Sequence, residues 1–397
     1  MAKKVKWPKP YTAKIAMCDP ETQTTSKKSL AIMLPHELQW AVLKWNQGLD
    51  ARGRLLNWQS VRADVRQRVA SSVETLRLNP EALMIWGLWI DGAPVKYDRS
   101  ESLEMFSLNL PHLNQTAAST MRFPVTRINK IFASKDGQTA HDIMAVTQWS
   151  FHCMAEGCFP QVDHTGVGLS TFEVDWLHAC DLGVGADLFG NLLFLVCKHN
   201  SGSTEEQRVA SVWRDIKQWY VQNQVANQFQ SIAKLMIRKK ASSSPKLRGK
   251  AAEIRSLIPW AVDITERLFG DADPSSEEGT CRLAAQHLNT GYGQLSTATF
   301  NPEILSYACR KFLLLYTALE VHGQESCRWR FKPKFHLWQH LCESTESAPS
   351  LYWTYDDEDW GGTVGKMSVR RGGKNQAFTL SANVLTKFRA QNKIPEF

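Results

Sequence analysis

Nine cysteines are scattered along this chain, yet no two of them stand at Cys-x-x-Cys spacing. That absence argues against the common structural zinc modules, which need paired thiolates at short intervals. The nearest approach is His152-Cys153 with Cys158 five residues on, and no second pair at matching spacing follows. An odd, dispersed set reads instead as buried free thiols in a reducing compartment. Long apolar runs are also lacking. The longest, Leu188 to Cys197, is too short to span a bilayer. The basic opening stretch MAKKVKWPKPYTAK has no apolar run behind it, which argues against a secretory signal. No internal repeat is visible, and low complexity is confined to Ala241–Pro245. The expectation is a soluble, intracellular protein without a membrane partner.

What is present is ample core material. Of 397 residues, 43% are hydrophobic and 22% charged, and the 15 tryptophans favour a folded chain. The length suits two structural units or one domain with a large insertion. A formal charge of +8 and a pI near 9.0 are compatible with a polyanionic partner without demanding one.

Helical and strand periods alternate in blocks. Residues 30–78 predict two helices, the second carrying Val61, Val65, Val69, Val73 and Leu76 on one stripe. Between 83 and 109 strand formers dominate, with turn signals at Asp91-Gly92 and at 98–100, which predicts a meander of strands at 83–91, 94–97 and 102–109. A helix through Ile143, Val146, Trp149 and Phe151 should follow, ending at Gly157. From 205 to 325 nearly every segment predicts helix, and a strand signal returns only at 351–355. Strands, then a long helical block, then a strand and a helix fit one domain interrupted by an insertion. The corresponding boundaries are a basic tail and helical segment over 1–80, the first part of a core over 81–197, an inserted helical block over 198–345, and the closing strand and helix over 346–397.

Four features carry chemistry. Asp91 ends an apolar strand before a glycine, where an ordinary hairpin turn is the plainer reading. Glu358 lies in the acidic run Asp356-Asp357-Glu358-Asp359, ahead of Gly361, Gly362, Arg370 and Arg371. Acids at a helix start gain from the helix dipole, and carboxylates from distant segments are what a phosphoryl-transfer metal site requires. His178, within VDWLHACDLGV, is flanked by Asp175 and Asp181; a buried hydrogen-bonded histidine and a metal ligand are both open. The basic residues Lys234, Arg238, Lys239, Lys240, Lys246, Arg248, Lys250 and Arg255 fall in one predicted helical region containing a single acid, Glu253. RWRFKPKFHL interleaves Arg328, Arg330, Lys332 and Lys334 with aromatics, a mixture suited to phosphate contacts and base stacking, although a solvated face is the alternative for both clusters.

In order, these pieces resemble CACTA (En/Spm-type) transposases of the DDE superfamily. LWIDGAPVKYDRSESLEMFSLNLP is similar to their opening strands, Leu177-His178 to their Met/Leu-His signature, and FKPKFHLWQHL to their Pro-Lys-x-His-Leu segment. The nearest likeness is to transposon-derived proteins abundant in dinoflagellate genomes. The similarity spans roughly residues 80–390. It implies an α/β fold of the α+β kind: an RNase H-like mixed sheet interrupted by a large all-helical insertion, preceded by an N-terminal helical segment. It also implies metal-dependent DNA strand cleavage and transfer in the nucleus, with Mg2+ or Mn2+ held by Asp91 and Glu358. DNA contacts would fall to Lys239, Lys240, Lys246, Arg248, Lys332, Lys334, Arg370 and Arg371.

One departure is evident. The family places a second aspartate on a strand ahead of a Cys-x-x-Cys pair, and EGCFPQVDHTGVGLSTFEVDWLHA leaves no room for it. Asp163 and Asp175 are the only substitutes. The expectation is therefore a divergent DDE-type transposase with an incomplete triad. The alternatives are a non-catalytic nucleic-acid-binding derivative and a helical protein-interaction scaffold. A homo-oligomer is left open.

Overall fold

The structure, a computed structural model, describes residues 6–46, 84–94, 102–110, 122–156, 174–240, 242–368 and 377–394, together with Arg66, Ala70 and Glu74. The chain opens on a hairpin of β1 (Tyr11–Cys18) and β2 (Thr25–Ile32), paired antiparallel from Tyr11↔Ile32 to Cys18↔Thr25. Sequence reading places a basic tail here. The outer half of β2 is Thr-Ser-Lys-Lys-Ser and exposed, so only its last three residues carry an apolar signal. Helix α1 (Pro35–Trp45) follows, with proline in its first turn and Lys44 in its last, as the helix start and dipole favour. Of the second helix expected before residue 78, only Arg66, Ala70 and Glu74 are described, and each is helical.

Three strands then form one antiparallel sheet in the order β3 (Gly87–Pro94), β4 (Ser102–Asn109), β5 (Arg122–Asn129). The predicted meander is corrected in two ways. The strand does not turn at Asp91-Gly92: Asp91 pairs with Met105 and Gly92 with Glu104, so one strand runs on through Pro94, and residues 95–97 of the strand expected at 94–97 lie outside the described residues. The third strand is β5, whose eight residues are all buried, including Arg122 and Arg127, and whose charges hid its strand character. Helix α2 (Gln138–Glu156) runs where its period predicts.

A second unit, Glu173–Thr354, separates Met1–Phe172 from Tyr355–Phe397. It begins with a π-helix (Leu177–Gly185) continuing into α3 (Ala186–His199). Together Leu177–His199 are long and apolar enough to cross a membrane, but 83% of that apolar window is buried inside the structure, as in a core helix. The unit continues with α4 (Glu205–Gln222), the single turn α5 (Lys234–Ile237), α6 (Ala251–Ser256), α7 (Ile258–Phe269), α8 (Glu277–Tyr292), α9 (Pro302–Gly323) and α10 (Pro333–Ser344). The basic stretch 234–255 is thus not one helical region. One turn, a loop and the start of α6 carry it.

The chain returns to the first unit through α11 (Tyr355–Ser368) and α12 (Ala377–Gln391). The strand expected at 351–355 is absent: a 3-10 turn at Pro349–Leu351 leads into α11, and the acidic run occupies the opening of that helix, where the dipole favours acids. Both sheets among the described residues are antiparallel, so a mixed sheet is not found there. Each unit has its own core. In the first, Trp7, Ile32, Leu108, Val125, Trp360 and Phe388 belong to one buried cluster. In the second, α3 lies among Trp260, Phe312, Trp329 and Trp338.

Candidate metal centre

Alternation along a strand decides what Asp91 can meet. Cross-strand partners share a face, so the row Asp91–Met105–Arg127 and the row through Trp89 and Ser107 project to the same side of the three-stranded sheet. Helix α11 lies across that side. Asp357 takes hydrogen bonds from Arg122 Nε at 2.7 Å and from Asn109 Nδ2 at 3.3 Å. Trp360 donates its indole N–H to Ser107 Oγ at 3.3 Å. A Cβ on Gly361 would come within 3.0 Å of Met105 and 3.1 Å of Trp89, so the helix approaches there with bare backbone.

With those three anchors set, Glu358 is brought over Asp91, and their carboxylate oxygens lie within 4.8 Å of each other. Asp91 is half-buried and Glu358 exposed. Asp91 Oδ1 also accepts from the Gly92 amide at 2.6 Å, which fixes its rotamer. Two carboxylates this close repel unless a cation or a proton lies between them. Mg2+ is commonly held by one or two carboxylates with water in the remaining positions, and this donor set fits that habit. Arg127, in the same row, is almost wholly buried, and burial lowers its guanidinium to about 9. Within the first unit, among the described residues, no third carboxylate joins the pair. Two-metal chemistry needs more ligands than that.

Sequence reading offers Asp163 and Asp175 as substitutes for the absent aspartate. Asp163 lies outside the described residues. Asp175, in the second unit, is consumed as a cap. It accepts from the Leu177 amide at 3.2 Å, the His178 amide at 2.9 Å, His178 Nδ1 at 2.5 Å, and the Thr354 amide and hydroxyl at 3.0 and 2.8 Å. Burial works to raise this carboxyl, but those donors outweigh it and hold the group below the ordinary range. His178 is therefore a hydrogen-bonded histidine oriented by Asp175. Asp181 does not share its face: it is fully buried and accepts from Tyr292 Oη at 2.5 Å.

The basic residues divide by environment. Lys239 and Lys240 are exposed. Lys246 Nζ donates to the Leu182 carbonyl at 2.8 Å and stands 3.9 Å from the buried Asp187. Lys334 Nζ donates to the His178 carbonyl at 2.8 Å, and Lys332 is ion-paired with Asp187. Three lysines thus neutralise Asp187 or cap carbonyls of the π-helix. Arg248 bonds the Leu235 carbonyl, and Arg328 forms a two-pronged pair with Glu277. Arg370 and Arg371 lie outside the described residues, as does Cys158; Cys153 is buried. The supports of the acid pair, Arg122, Asp357 and Trp360, were not singled out from sequence. The signal available was a tryptophan two residues after Glu358, which marks a buried helix face among acids.

No protein-family model matches the chain, and no curated protein is significantly similar to it. A degenerate, nuclease-like acid pair on a mixed α/β architecture with a large helical insertion is what the structure presents.

Proposed function

We propose that this protein is a divergent DDE-type transposase relative of the CACTA kind that binds DNA and holds a single divalent cation, Mg2+ or Mn2+, between Asp91 and Glu358. One observation carries the reading: two acids from opposite ends of the sequence, each on a different element, converge within 4.8 Å. A helical interaction scaffold whose acids are only surface does not require that convergence. The three antiparallel strands followed by helices, and the helical unit placed ahead of α11, support an RNase H-like ancestry.

In this reading Asp91 and Glu358 bind and orient the ion, which would supply electrostatic stabilisation to a phosphate oxygen. Arg122 and Trp360 keep α11 seated so that Glu358 stays in reach. The missing aspartate leaves the second ion and the attacking water without a holder, so DNA is bound without appreciable cutting.

The test is Mn2+ binding followed by electron paramagnetic resonance, in the native chain and in Asp91→Asn and Glu358→Gln. One weak site, lost in both variants, is expected. Equal binding in all three would remove the acid pair from any metal role.

A further inference from the structure

Helix α10 carries two histidines at the i, i+4 interval, His336 and His340, on the face opposite its core residues Phe335, Trp338 and Leu341. Residues at that interval stack one above the other along a helix. Both rings are exposed, and their Nε2 atoms lie 3.0 Å apart, with ring centroids 4.3 Å apart at 71°. We propose that this pair is a transition-metal site, selective for Cu2+ or Ni2+ over the hard cations expected at the acid pair.

The geometry points to that choice of metal. Imidazole nitrogens bind first-row metals at about 2.0–2.1 Å. Two nitrogens 3.0 Å apart, each at such a distance from one ion, subtend about 91–97° at it. That is the cis angle of a square-planar or tetragonal centre, the geometry favoured by Cu2+ and Ni2+ with N and O donors. Tetrahedral Zn2+ wants the nitrogens roughly 3.3 Å apart, so it fits after a small rotation of either ring. The rings already face each other, so little side-chain entropy is lost on binding.

The outer positions are open to water because the rings stand in solvent. Glu343 lies one turn further along α10 and accepts from Gln339 Nε2 at 3.2 Å. Its Oε1 is shared with Arg310 Nε at 3.0 Å, which keeps it out of the inner ligand set and places it as an acceptor for a metal-bound water.

The probe is Cu2+ or Ni2+ alone, titrated calorimetrically into the full chain. An Asp91→Asn/Glu358→Gln background keeps the acid pair from contributing. The expected result is one site per chain, showing nitrogen hyperfine structure from two imidazoles in the Cu2+ resonance spectrum. Loss of outer-sphere partners alone costs about 10–100-fold in affinity, so His336→Ala or His340→Ala, each losing a ligand, should weaken binding at least about tenfold. Zn2+ should bind more weakly and Mg2+ not measurably. Far-UV circular dichroism of each variant without metal should match the parent, since both side chains are exposed. Equal Cu2+ affinity in parent and variants, or no binding at millimolar metal, would overturn the proposal.

Discussion

Arg122 and Asp357 form a buried ion pair, Nε to Oδ1 at 2.7 Å, with side chains 10% and 6% exposed. One residue begins β5 and the other lies in the opening turn of α11. The pair explains how a run of adjacent carboxylates is tolerated at the start of that helix. Asp357 turns inward to a fixed cation while Glu358 and Asp359 stay exposed, so the charges are distributed over two faces.

Removing Arg122 strands a carboxylate in the core. Arg122→Ala should cost about 3–5 kcal/mol, the penalty of an uncompensated buried charge. Replacing both partners, as Arg122→Met with Asp357→Leu, should recover most of that loss, because an apolar pair of similar volume needs no desolvation. Urea unfolding of the four chains of the cycle measures both. A loss below about 1 kcal/mol in Arg122→Ala would mean that water reaches the pair.

The native chain should not cleave DNA at an appreciable rate with Mg2+ or Mn2+. Each 1.4 kcal/mol of lost transition-state stabilisation is about a factor of ten in rate, and a missing ion forfeits several kcal/mol. The assay uses DNA carrying candidate transposon ends, comparing the native chain with Asp91→Asn and Glu358→Gln. Clear cleavage that disappears in both variants would show that another acid completes the centre.

How much of this was legible in the sequence depended on whether periodicity survived the local chemistry. Helices α1, α2, α4, α8 and α9 were readable because one apolar stripe per helix faces a core. Strand β5 was not, since Arg122, Thr126, Arg127 and Asn129 are polar yet buried. Their burial is bought by partners that no local window contains, such as Asp357 and the Ala31 carbonyl. The aromatic run before α11 mimicked a strand because β propensity measures fit to a half-buried surface, which a turn between two units also offers. Gly190 lies in a regular helix, where a Cβ would fall 2.2 Å from the Lys246 amide nitrogen. At the acid pair the two residues were legible and their three anchors were not.

Asp175 makes a stability contribution with a defined pH window. Its folded carboxyl titrates below the unfolded value of about 4. Its contribution is thus present above that unfolded value and lost as pH falls through the lower folded one. Asp175→Ala should cost about 2 kcal/mol near neutrality, from the lost cap and the orphaned donors. The gap between native and variant should narrow in acid. Denaturation from pH 7 to pH 2.5 tests this; a gap independent of pH would assign the effect to packing.

DNA affinity should fall steeply with salt, and the lysines should separate in how they change it. Lys239→Ala with Lys240→Ala removes two exposed charges and should flatten the slope of log K against log salt by about 2. Lys246→Ala should instead lower stability, because its ammonium serves Asp187 and the Leu182 carbonyl. Fluorescence anisotropy from 50 to 300 mM salt reads the first, and thermal melting the second. An unchanged slope would assign Lys239 and Lys240 to a plain solvated face.

Asp175 and Thr354 stand 179 positions apart in sequence and 3.0 Å apart in space. The helical unit therefore leaves its host and comes back at a single gate, latched by hydrogen bonds of its own making. For the host this long excursion amounts to a short turn, since the entropy of closing it is met inside the excursion. Asp175 and Thr354 are the pair at which the excursion closes on itself.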